Sequence, residues 1–462
     1  MRRLGSLLLP PLAALAVLLG VLSTPAPAAG AGPEGPGGPQ LSVAPVPAAY
    51  AGETVTVVVT LSGVEPAEGQ EITVTRMGEV LVAPTDEHGV ARVALTVARD
   101  PDRNVVVASH GTTSVSATLP LRPRGAVLTV GGPGAVVDER STTVAVSWIA
   151  DNGEPVSGPV TLLASSRGGP WRPVAALTTG PDGRATYVAT PRYDTRWRVQ
   201  APPLPWVLGG GSAVYHLDNR PPGRVVRMAK RAPQPSRRIR GEQPRAVGAG
   251  ANPVITPLPD AVWRSMVGRS WHPGCPVGRS GLRLVAVNYW DFTGYRRRGE
   301  LVVADEVAGQ VAAAVAELHQ RRIPIRRMVR VDRFGWSKRL RGADDYASMA
   351  AGNTSAFNCR DVVGRPGVRS PHAWGRSVDI NPWENPFRSR HGLVPNGWWH
   401  SHPHPRVSWR SRGHVVVRLM ARHGLRWTYG TGDSHHFDAV PRGASRPLLP
   451  RACAGPAAGV CH

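Results

Sequence analysis

Strict alternation of apolar and polar side chains runs through two sets of short stretches between residues 53 and 202. The first set contains ETVTVVVTLSG (53–63), QEITVTRMGEVLVAP (70–84) and GVARVALTVARD (89–100), and a second set lies between 141 and 202. A period of two places every other side chain on the same face of a strand, so each stretch predicts a half-buried strand. The sequence therefore predicts two tandem β-sandwiches, residues 39–122 and 123–218.

The two sets share a local order of strand, acidic turn, glycine and strand. In the first set the turn spans Asp86 to Gly89, and in the second it contains Asp182 and Gly183. On these features both segments resemble immunoglobulin-like modules of exported bacterial proteins. Neither set contains a group of residues typical of catalysis, so we expect spacers or modules that contact the cell wall.

The first 28 residues have the composition of a secretory signal. Arg2 and Arg3 form a basic start, an apolar stretch runs over 7–22, and Ala26 and Ala28 stand where a signal peptidase reads. We expect residues 1–28 to be removed and the protein to be secreted and associated with the cell wall. The alternative is an uncleaved membrane anchor, and no later segment is apolar enough to span a bilayer.

The charge of the chain is strongly positive. Net charge is +23, and it comes almost entirely from arginine, since Lys230 and Lys338 are the only lysines. A basic surface suits nucleic acid, anionic lipid or anionic cell-wall polymers. Charge alone does not choose between these partners, but because no arginine-rich helix with interleaved aromatic residues is present, we expect no nucleic acid, and anionic wall polymers stay a candidate partner. Residues 219–254, rich in Pro, Arg and Gly, predict a basic linker, and we expect a monomer.

The four cysteines are disulfide candidates in an oxidising compartment. Cys453 and Cys461 lie close together in the basic tail, residues 443–462, and would close a small loop. That pairing leaves Cys275 and Cys359 to pair in the preceding domain. The two other connectivities stay open at this level.

The remaining block, residues 255–442, has mixed patterns. RLVAVNYWDFTG (283–294) predicts a strand that ends in a turn, whereas VADEVAGQVAAAVAELHQRRIPI (303–325) has helical spacing that ends before Pro324. HVVVRLMARHG (414–424) predicts a second amphipathic helix with Gly424 at its end. Helices and strands without regular βαβ order favour an α+β domain with an antiparallel sheet.

The stretch SPHAWGRSVDINP (370–382) places His372 and Asp379 on either side of Gly375. A catalytic zinc site needs imidazole and carboxylate ligands on stiff backbone, with three protein ligands and an open position. Gly375 permits a tight turn, so both side chains are able to face one cavity. A second stretch, GTGDSHHFDAV (430–440), offers His435 or His436 as the third ligand and Asp433 as a carboxylate for the water.

SPHAWGRSVDINP resembles the S-x-H-x-x-G-x-A-x-D motif of zinc D-alanyl-D-alanine carboxypeptidases and L-alanyl-D-glutamate endopeptidases, which cut peptidoglycan stem peptides. GELVV (299–303), DDYASMAAGNTSAFNCR (344–360) and DSHHFD (433–438) extend the resemblance over about residues 270–440. Ser377 departs from the motif, which has alanine there, and it is not a ligand.

The resemblance implies the role of each residue. His372, Asp379 and His436 would bind Zn²⁺, with His436 chosen over His435 by the family spacing. Asp433 would be the general base and acid. Asp438 is the rival candidate for that role, and the alternative for Asp438 is that it orients a metal ligand. Arg360 would stabilise the oxyanion.

Four further residues are candidates for substrate binding. Ser355 and Asn358 either contact substrate or cap their own turn through side-chain hydrogen bonds. Trp398 and Trp399 are candidates for lining the substrate groove.

The sequence as a whole predicts an exported zinc metallopeptidase. A D-alanyl-D-alanine carboxypeptidase acting on peptidoglycan stem peptides ranks first, with Zn²⁺ as its cofactor. The alternatives are an L-alanyl-D-glutamate-type endopeptidase of the wall and a catalytically inactive wall-binding protein.

Overall fold

The computed structural model describes residues 38–237, 239, 243–454 and 460–462. The predicted signal segment, residues 1–28, lies outside this part of the chain. Within it the protein is mainly β, with few helices and mostly antiparallel sheets, and no described helix is long and apolar enough to cross a bilayer. The chain divides into two compact units, one of residues up to 125 with 203–208 and the other of 126–202 with 209–462. The domain limits set from the sequence stay a prediction.

The first unit has two antiparallel sheets, β1-β2-β5 and β4-β3-β6-β7, built from β1 (Gln40–Val43), β2 (Thr54–Ser62), β3 (Glu71–Arg76), β4 (Glu79–Pro84), β5 (Val90–Thr96), β6 (Val105–His110) and β7 (Thr113–Thr118). Every second residue of β2 is turned inward, as the alternation predicts. Val57 of β2, Ile72 of β3, Val93 of β5 and Val106 of β6 belong to one buried cluster, so both sheets contribute to a single core.

The next strands begin the second unit: β8 (Ala126–Gly131), β9 (Ala135–Val137), β10 (Thr142–Ala150), β11 (Pro159–Ser166), β12 (Arg172–Thr178), β13 (Arg184–Ala189), β14 (Thr195–Ala201), β15 (Gly210–Gly211) and β16 (Tyr215–Arg220). They form a β13-β10-β8 sheet and a larger β12-β11-β14-β16-β9 sheet in which β16 and β9 are parallel. Trp148 of β10 and Trp197 of β14 are buried. These aromatic side chains supply much of the apolar area available on the inward faces.

Described residues of the segment 219–254, predicted as a basic linker, are hydrogen-bonded to later parts of the second unit. Gln243 is buried, and its side-chain amide donates to the carbonyls of Arg298 and Met328. The backbone amide of Ala246 donates to the carbonyl of Arg296. These bonds hold this basic stretch against the core of the second unit.

Residues 254–328 form a layer of sheet and helix. The antiparallel sheet β17-β18-β19 contains β17 (Val254–Pro257), β18 (Leu282–Trp290) and β19 (Arg296–Ala304), and the helices here are α1 (Asp260–Met266) and α2 (Asp305–Gln320). The apolar face of α2 is buried with Val285 and Val287 of β18 in one core. The strand and helix predicted here are confirmed, and Gln320 ends the helix four residues before Pro324.

The rest of the unit is made of short elements: α3 (Asp345–Ala350), α4 (Trp398–Ser401), α5 (Val415–Arg422), β20 (Arg327–Met328), β21 (Trp336–Ser337), β22 (Gly342–Ala343), β23 (Asn353–Thr354), β24 (Asp361–Val362), β25 (Arg365–Arg369), β26 (Ser377–Asp379), β27 (Phe387–Ser389), β28 (Gly392–Val394), β29 (Leu425–Arg426) and β30 (His436–Ala439). The predicted helix over 414–424 is confirmed as α5, with His414 at its start and Gly424, at φ +75°, just past its end.

Both disulfides have the pairing favoured by the sequence. Cys275 bonds Cys359 across a separation of 84 residues, and Cys453 bonds Cys461. Cys359 is buried, and its backbone amide donates to the carbonyl of Ser270. The first disulfide therefore fixes the chain next to Arg360.

Candidate metal centre

The antiparallel pairing of β26 with β30 joins the two polar stretches of the sequence. Asp379 lies opposite His436, and Ser377 lies opposite Asp438. Directly opposed residues on the same face of a sheet have their side chains about 5 Å apart at Cβ. The register alone therefore brings a carboxylate and an imidazole together from segments more than 50 residues apart.

His372 reaches the same point from a single turn of 3₁₀ helix, Pro371–Trp374. Ser370 caps this turn by accepting from the amide of His372, and Gly375 ends it at φ +70°. A Cβ on Gly375 would lie 2.7 Å from the backbone nitrogen of Ala304, and that nitrogen donates to the Gly375 carbonyl. A side chain at this position would therefore separate the turn from β19, which is why the motif needs glycine.

The side chains of His372, Asp379 and His436 form a triangle of close contacts, to which Asp379 contributes both carboxylate oxygens. His372 Nε2 lies 3.1 Å from His436 Nδ1 and 3.1 Å from Asp379 Oδ2, and His436 Nδ1 lies 3.1 Å from Asp379 Oδ1. Ligand atoms bound tetrahedrally at the usual Zn–N distance are separated by about 3.3 Å, so each of these contacts has about the spacing of two ligands at a zinc site.

Two partners orient the imidazoles. His372 Nδ1 donates to the carbonyl of Ala356 at 2.7 Å, and His436 Nε2 donates to Asp438 Oδ1 at 2.8 Å. A carbonyl or carboxylate only accepts, so these bonds place a ring proton on Nδ1 of His372 and on Nε2 of His436 and direct the other nitrogen of each ring into the triangle. Asp438 is itself held by the hydroxyl of Ser377 at 2.6 Å, which matches the orienting alternative considered for this carboxylate.

The electrostatics of the triangle favour a cation. Burial alone would raise the pKa of Asp379, but His372 and His435 outweigh it and hold that pKa well below its usual range. Burial likewise lowers the pKa of His436, yet Asp438 and Asp379 raise it well above its ordinary value. The donor set therefore fits Zn²⁺, because two imidazoles and a carboxylate converge where positive charge is stabilised.

Asp433 lies beside the triangle and is fully buried. Its Oδ1 is 3.1 Å from His435 Nε2, and its Oδ2 is 3.0 Å from Nδ1 of His462. Burial raises the pKa of Asp433, but the two histidines outweigh it and lower that pKa below its ordinary value. Asp433 is therefore ionised and able to accept a proton, whereas His435 is directed at Asp433, with its Nδ1 on the carbonyl of Asn385.

Arg360 lies in a buried ion pair with Asp345. Its Nη2 is 2.8 Å from Asp345 Oδ2, and that oxygen is also 3.1 Å from Nε2 of His462. The Nε of Arg360 is buried without an acceptor among the described residues. Arg360 is therefore paired with Asp345, which also contacts His462. The role of Arg360 in stabilising an oxyanion stays a prediction.

Ser355 and Asn358 support the centre through their backbones. The amide of Ser355 donates to the carbonyl of Asp379, and the amide of Asp379 donates to the carbonyl of Ser355, which fixes the ligand strand. The side-chain amide of Asn358 pairs with both backbone groups of Ala343, and its own amide donates to the carbonyl of His372. A substrate contact for either residue stays a prediction.

A cavity of about 280 Å³ lies beside the centre. Its lining includes Tyr346, Phe387 and four arginines, namely Arg339, Arg365, Arg388 and Arg390. Trp398 and Trp399 are not among its lining residues: Trp398 stacks on His402, and Trp399 is buried. This cavity therefore gives no support to the predicted role of the two tryptophans in the substrate groove, which stays a prediction.

Sequence reasoning missed Asp345 and His462. Asp345 lies within DDYASMAAGNTSAFNCR, but nothing in the pattern separates it from Asp344. His462 follows Cys461 in a tail whose only marked feature is the cysteine pair. A histidine next to a disulfide cysteine was the one available signal, and its meaning depends on where the disulfide holds it.

The comparison with known families concerns this same region. Residues 363–439 match the sequence model of the family described as D-alanyl-D-alanine carboxypeptidase. The resemblance is confirmed. This match supports, in general terms, a peptidoglycan-type metallopeptidase, and the matched segment contains His372, Asp379, Asp433 and His436. Arg360, Ser355 and Asn358 lie before it.

Whole-chain comparisons add little. No curated protein matches the chain. Among solved structures, the native conformation of E. coli alpha-2-macroglobulin shares 8% identity and a Salmonella alpha-2-macroglobulin mutant shares 11%, each with a TM-score of 0.19. Both matches cover 54% of this chain, which spans only 18% of either relative. Similarity at this level supports no inference about fold or function.

Proposed function

We propose that this protein is a zinc D-alanyl-D-alanine carboxypeptidase that releases the terminal D-alanine of peptidoglycan stem peptides. The observation that carries the proposal is the triangle of His372, Asp379 and His436 with the ionised Asp433 beside it, inside the segment matched to the peptidase family. Three protein ligands plus one open position is the composition of a catalytic zinc site.

The chain's own residues divide the chemistry. His372, Asp379 and His436 would hold Zn²⁺, which when bound supplies Lewis-acid chemistry and makes water a better nucleophile near neutral pH. Asp433 accepts the proton of the attacking water at a carboxylate oxygen and then gives it to the leaving amine. Arg360 is the proposed donor toward the developing negative charge on the carbonyl oxygen.

The cationic cavity favours a carboxypeptidase over the alternative endopeptidase. A substrate that is cut at its last peptide bond carries a free carboxylate one residue beyond the scissile carbonyl. Arg365, Arg388 and Arg390 line the cavity next to His462, and guanidinium groups bind carboxylates with two parallel hydrogen bonds. An endopeptidase has no such requirement at this position.

The remaining parts of the chain have supporting roles in this proposal. The β-rich segments over 39–122 and 123–218 are proposed as immunoglobulin-like modules that space the peptidase or contact anionic wall polymers. A net charge of +23 suits such polymers. The protein is proposed to act outside the cell as a wall-associated monomer.

The test is a digest of defined stem peptides by the full, zinc-loaded chain, followed by mass spectrometry. We expect loss of one terminal D-alanine from a pentapeptide ending in D-Ala-D-Ala. Cleavage between L-alanine and D-glutamate would establish the endopeptidase alternative. A chain that binds zinc and cuts neither bond would support the inactive wall-binding alternative.

A further inference from the structure

The described parts of the tail, residues 443–454 and 460–462, are anchored beside the metal centre by backbone and side-chain contacts. The amide of Val363 donates to the carbonyl of His462 at 2.7 Å. Arg365 donates to Cys461 Sγ at 3.3 Å and to the carbonyl of Ala452 at 3.2 Å. The disulfide-bonded Cys453 and Cys461 are buried in one apolar cluster with Val362. The end of the tail is therefore packed into the second unit.

These contacts place the imidazole of His462 inside the candidate active site. Its ring stacks on Phe387 at a centroid distance of 4.2 Å and is almost fully buried. Nδ1 lies 3.0 Å from Asp433 and Nε2 lies 3.1 Å from Asp345, as described above. His462 also offers a ring nitrogen within 4.8 Å of the ligand atoms of His372, Asp379 and His436.

This position conflicts with catalysis by Asp433. A general base has to lie within about 3 Å of the proton that it removes. Both oxygens of Asp433 are already within 3.1 Å of histidine nitrogens, and the oxygen nearest the tail is bonded to His462. Asp433 and the three proposed metal ligands are each at most 2% exposed. A substrate carbonyl therefore reaches this centre only if a covering group moves away.

The cavity shows which group that is. Among the described tail residues, Val460 and His462 line this cavity, together with the arginines proposed to bind the substrate carboxylate. The ring of His462 separates this cavity from Asp433, since it contacts both Phe387 of the lining and Asp433. Withdrawal of the tail would join the cavity to the metal centre.

We propose that the tail is an autoinhibitory cap in which His462 occupies the place of the scissile peptide of the substrate. The cap rests on the proposed function, because the place that it fills is defined by Asp433 and the metal ligands. The disulfide between Cys453 and Cys461 closes a short loop, which limits the conformations of the undocked tail and so favours docking. Reduction of this disulfide would loosen the cap.

The experiment compares three full-length, zinc-loaded proteins: wild type, His462→Ala and Leu448→Ala. Leu448 lies in the same tail with its side chain 51% exposed and is the matched control. If the cap is docked in about nine molecules of ten, its removal raises the competent fraction about tenfold. We expect His462→Ala to lose zinc to a chelator about tenfold faster and to release D-alanine from a stem pentapeptide with a kcat/KM about tenfold higher. Leu448→Ala should match the wild type in both measurements.

A second variant, Cys453→Ser with Cys461→Ser, keeps the test decisive if His462→Ala is poorly folded. It should accelerate zinc loss and hydrolysis in the same direction while retaining His462. Faster zinc loss without hydrolysis in any protein would show that the tail covers the metal centre, but it would reject the proposed peptidase and with it the autoinhibitory role of the cap. Normal hydrolysis in the wild type that neither variant increases would reject the cap and keep the peptidase. Slower hydrolysis in His462→Ala with unchanged zinc exchange would also overturn the cap, since His462 would then assist the reaction. Failure of every protein to take up zinc would reject both.

Discussion

Asp379 and His436 face each other across one antiparallel strand pair, with Oδ1 of the carboxylate 3.1 Å from Nδ1 of the imidazole. The register of β26 and β30 sets this distance, and His372 enters from the preceding turn. Each ligand is therefore positioned by backbone hydrogen bonds of the strand pair and the turn. A site organised in this way should be sensitive to changes in its ligands and in the turn that delivers His372.

Removal of one imidazole should abolish stoichiometric zinc binding. We expect about one Zn²⁺ in the wild type, and far less in His372→Ala or His436→Ala, because two protein ligands hold zinc much more weakly than three. Elemental analysis of the purified proteins measures this. His423→Ala is the control. His423 lies at the end of α5, where its side chain contacts Glu317 and not the metal centre. Retention of full zinc by both ligand variants would refute the assignment.

Replacement of Asp433 should separate metal binding from catalysis. General acid–base groups contribute about 10²–10⁴ in rate, so Asp433→Asn should keep near-normal zinc and lose at least about a hundredfold in kcat. Zinc content and D-alanine release are measured together.

The matched comparison is Asp438→Asn. Asp438 orients His436, and loss of such a partner typically weakens metal affinity about 10–100-fold. If instead Asp438→Asn is inactive with zinc bound and Asp433→Asn is active, the base has been assigned to the wrong carboxylate.

Gly375→Ala should destabilise the protein more than a comparable glycine substitution. Both Gly375 and Gly367 have positive φ, at +70° and +80°, so alanine costs about 1–2 kcal/mol at either site. Only at Gly375 would the new Cβ approach backbone atoms, 2.7 Å from Ala304 N, whereas nothing lies within 4 Å at Gly367. Urea unfolding should therefore show a larger loss for Gly375→Ala, together with weaker zinc binding. Equal losses would mean that the turn yields without strain.

The disulfide between Cys275 and Cys359 should be a major contributor to stability. Closing a loop with a separation of 84 residues is expected to stabilise the fold by about 4 kcal/mol. Cys275→Ser with Cys359→Ser should lower the melting temperature accordingly in calorimetry. An unchanged melting temperature would show that the unfolded chain is already compact in this region.

Glu317 predicts a pH-dependent contribution to stability. Burial raises the pKa of Glu317, but His423, Arg321 and Arg422 outweigh it and lower that pKa to about 2. A depressed folded-state pKa stabilises the protein above the unfolded-state value, near 4.5, and this contribution is lost as pH falls toward 2. Urea unfolding of wild type and Glu317→Gln should therefore differ at pH 7 and converge at low pH. A difference of the same size at both pH values would contradict this linkage.

The sequence by itself determined the local structure and the identity of most polar residues at the centre. Period-two alternation predicts strands such as β2, because a strand has two faces, and helical spacing predicts α2 and α5. Gly375 and the two polar stretches indicated the candidate ligands, because the metal-binding chemistry of imidazole and carboxylate groups follows from the residue types themselves. The spacing of the cysteines favoured both disulfide pairings, and only the structure decided against the two other connectivities.

Tertiary structure alone decided which side chains meet. The family resemblance already favoured His436 over His435 as a ligand, and strand register supplies the physical reason: His436 lies opposite Asp379, whereas His435 is directed at Asp433, because neighbouring residues on a strand point to opposite faces. His462 and Asp345 are 117 residues apart and come within 3.1 Å only because the tail is docked. No local pattern carries such a contact, since its position depends on packing between segments that are distant along the chain.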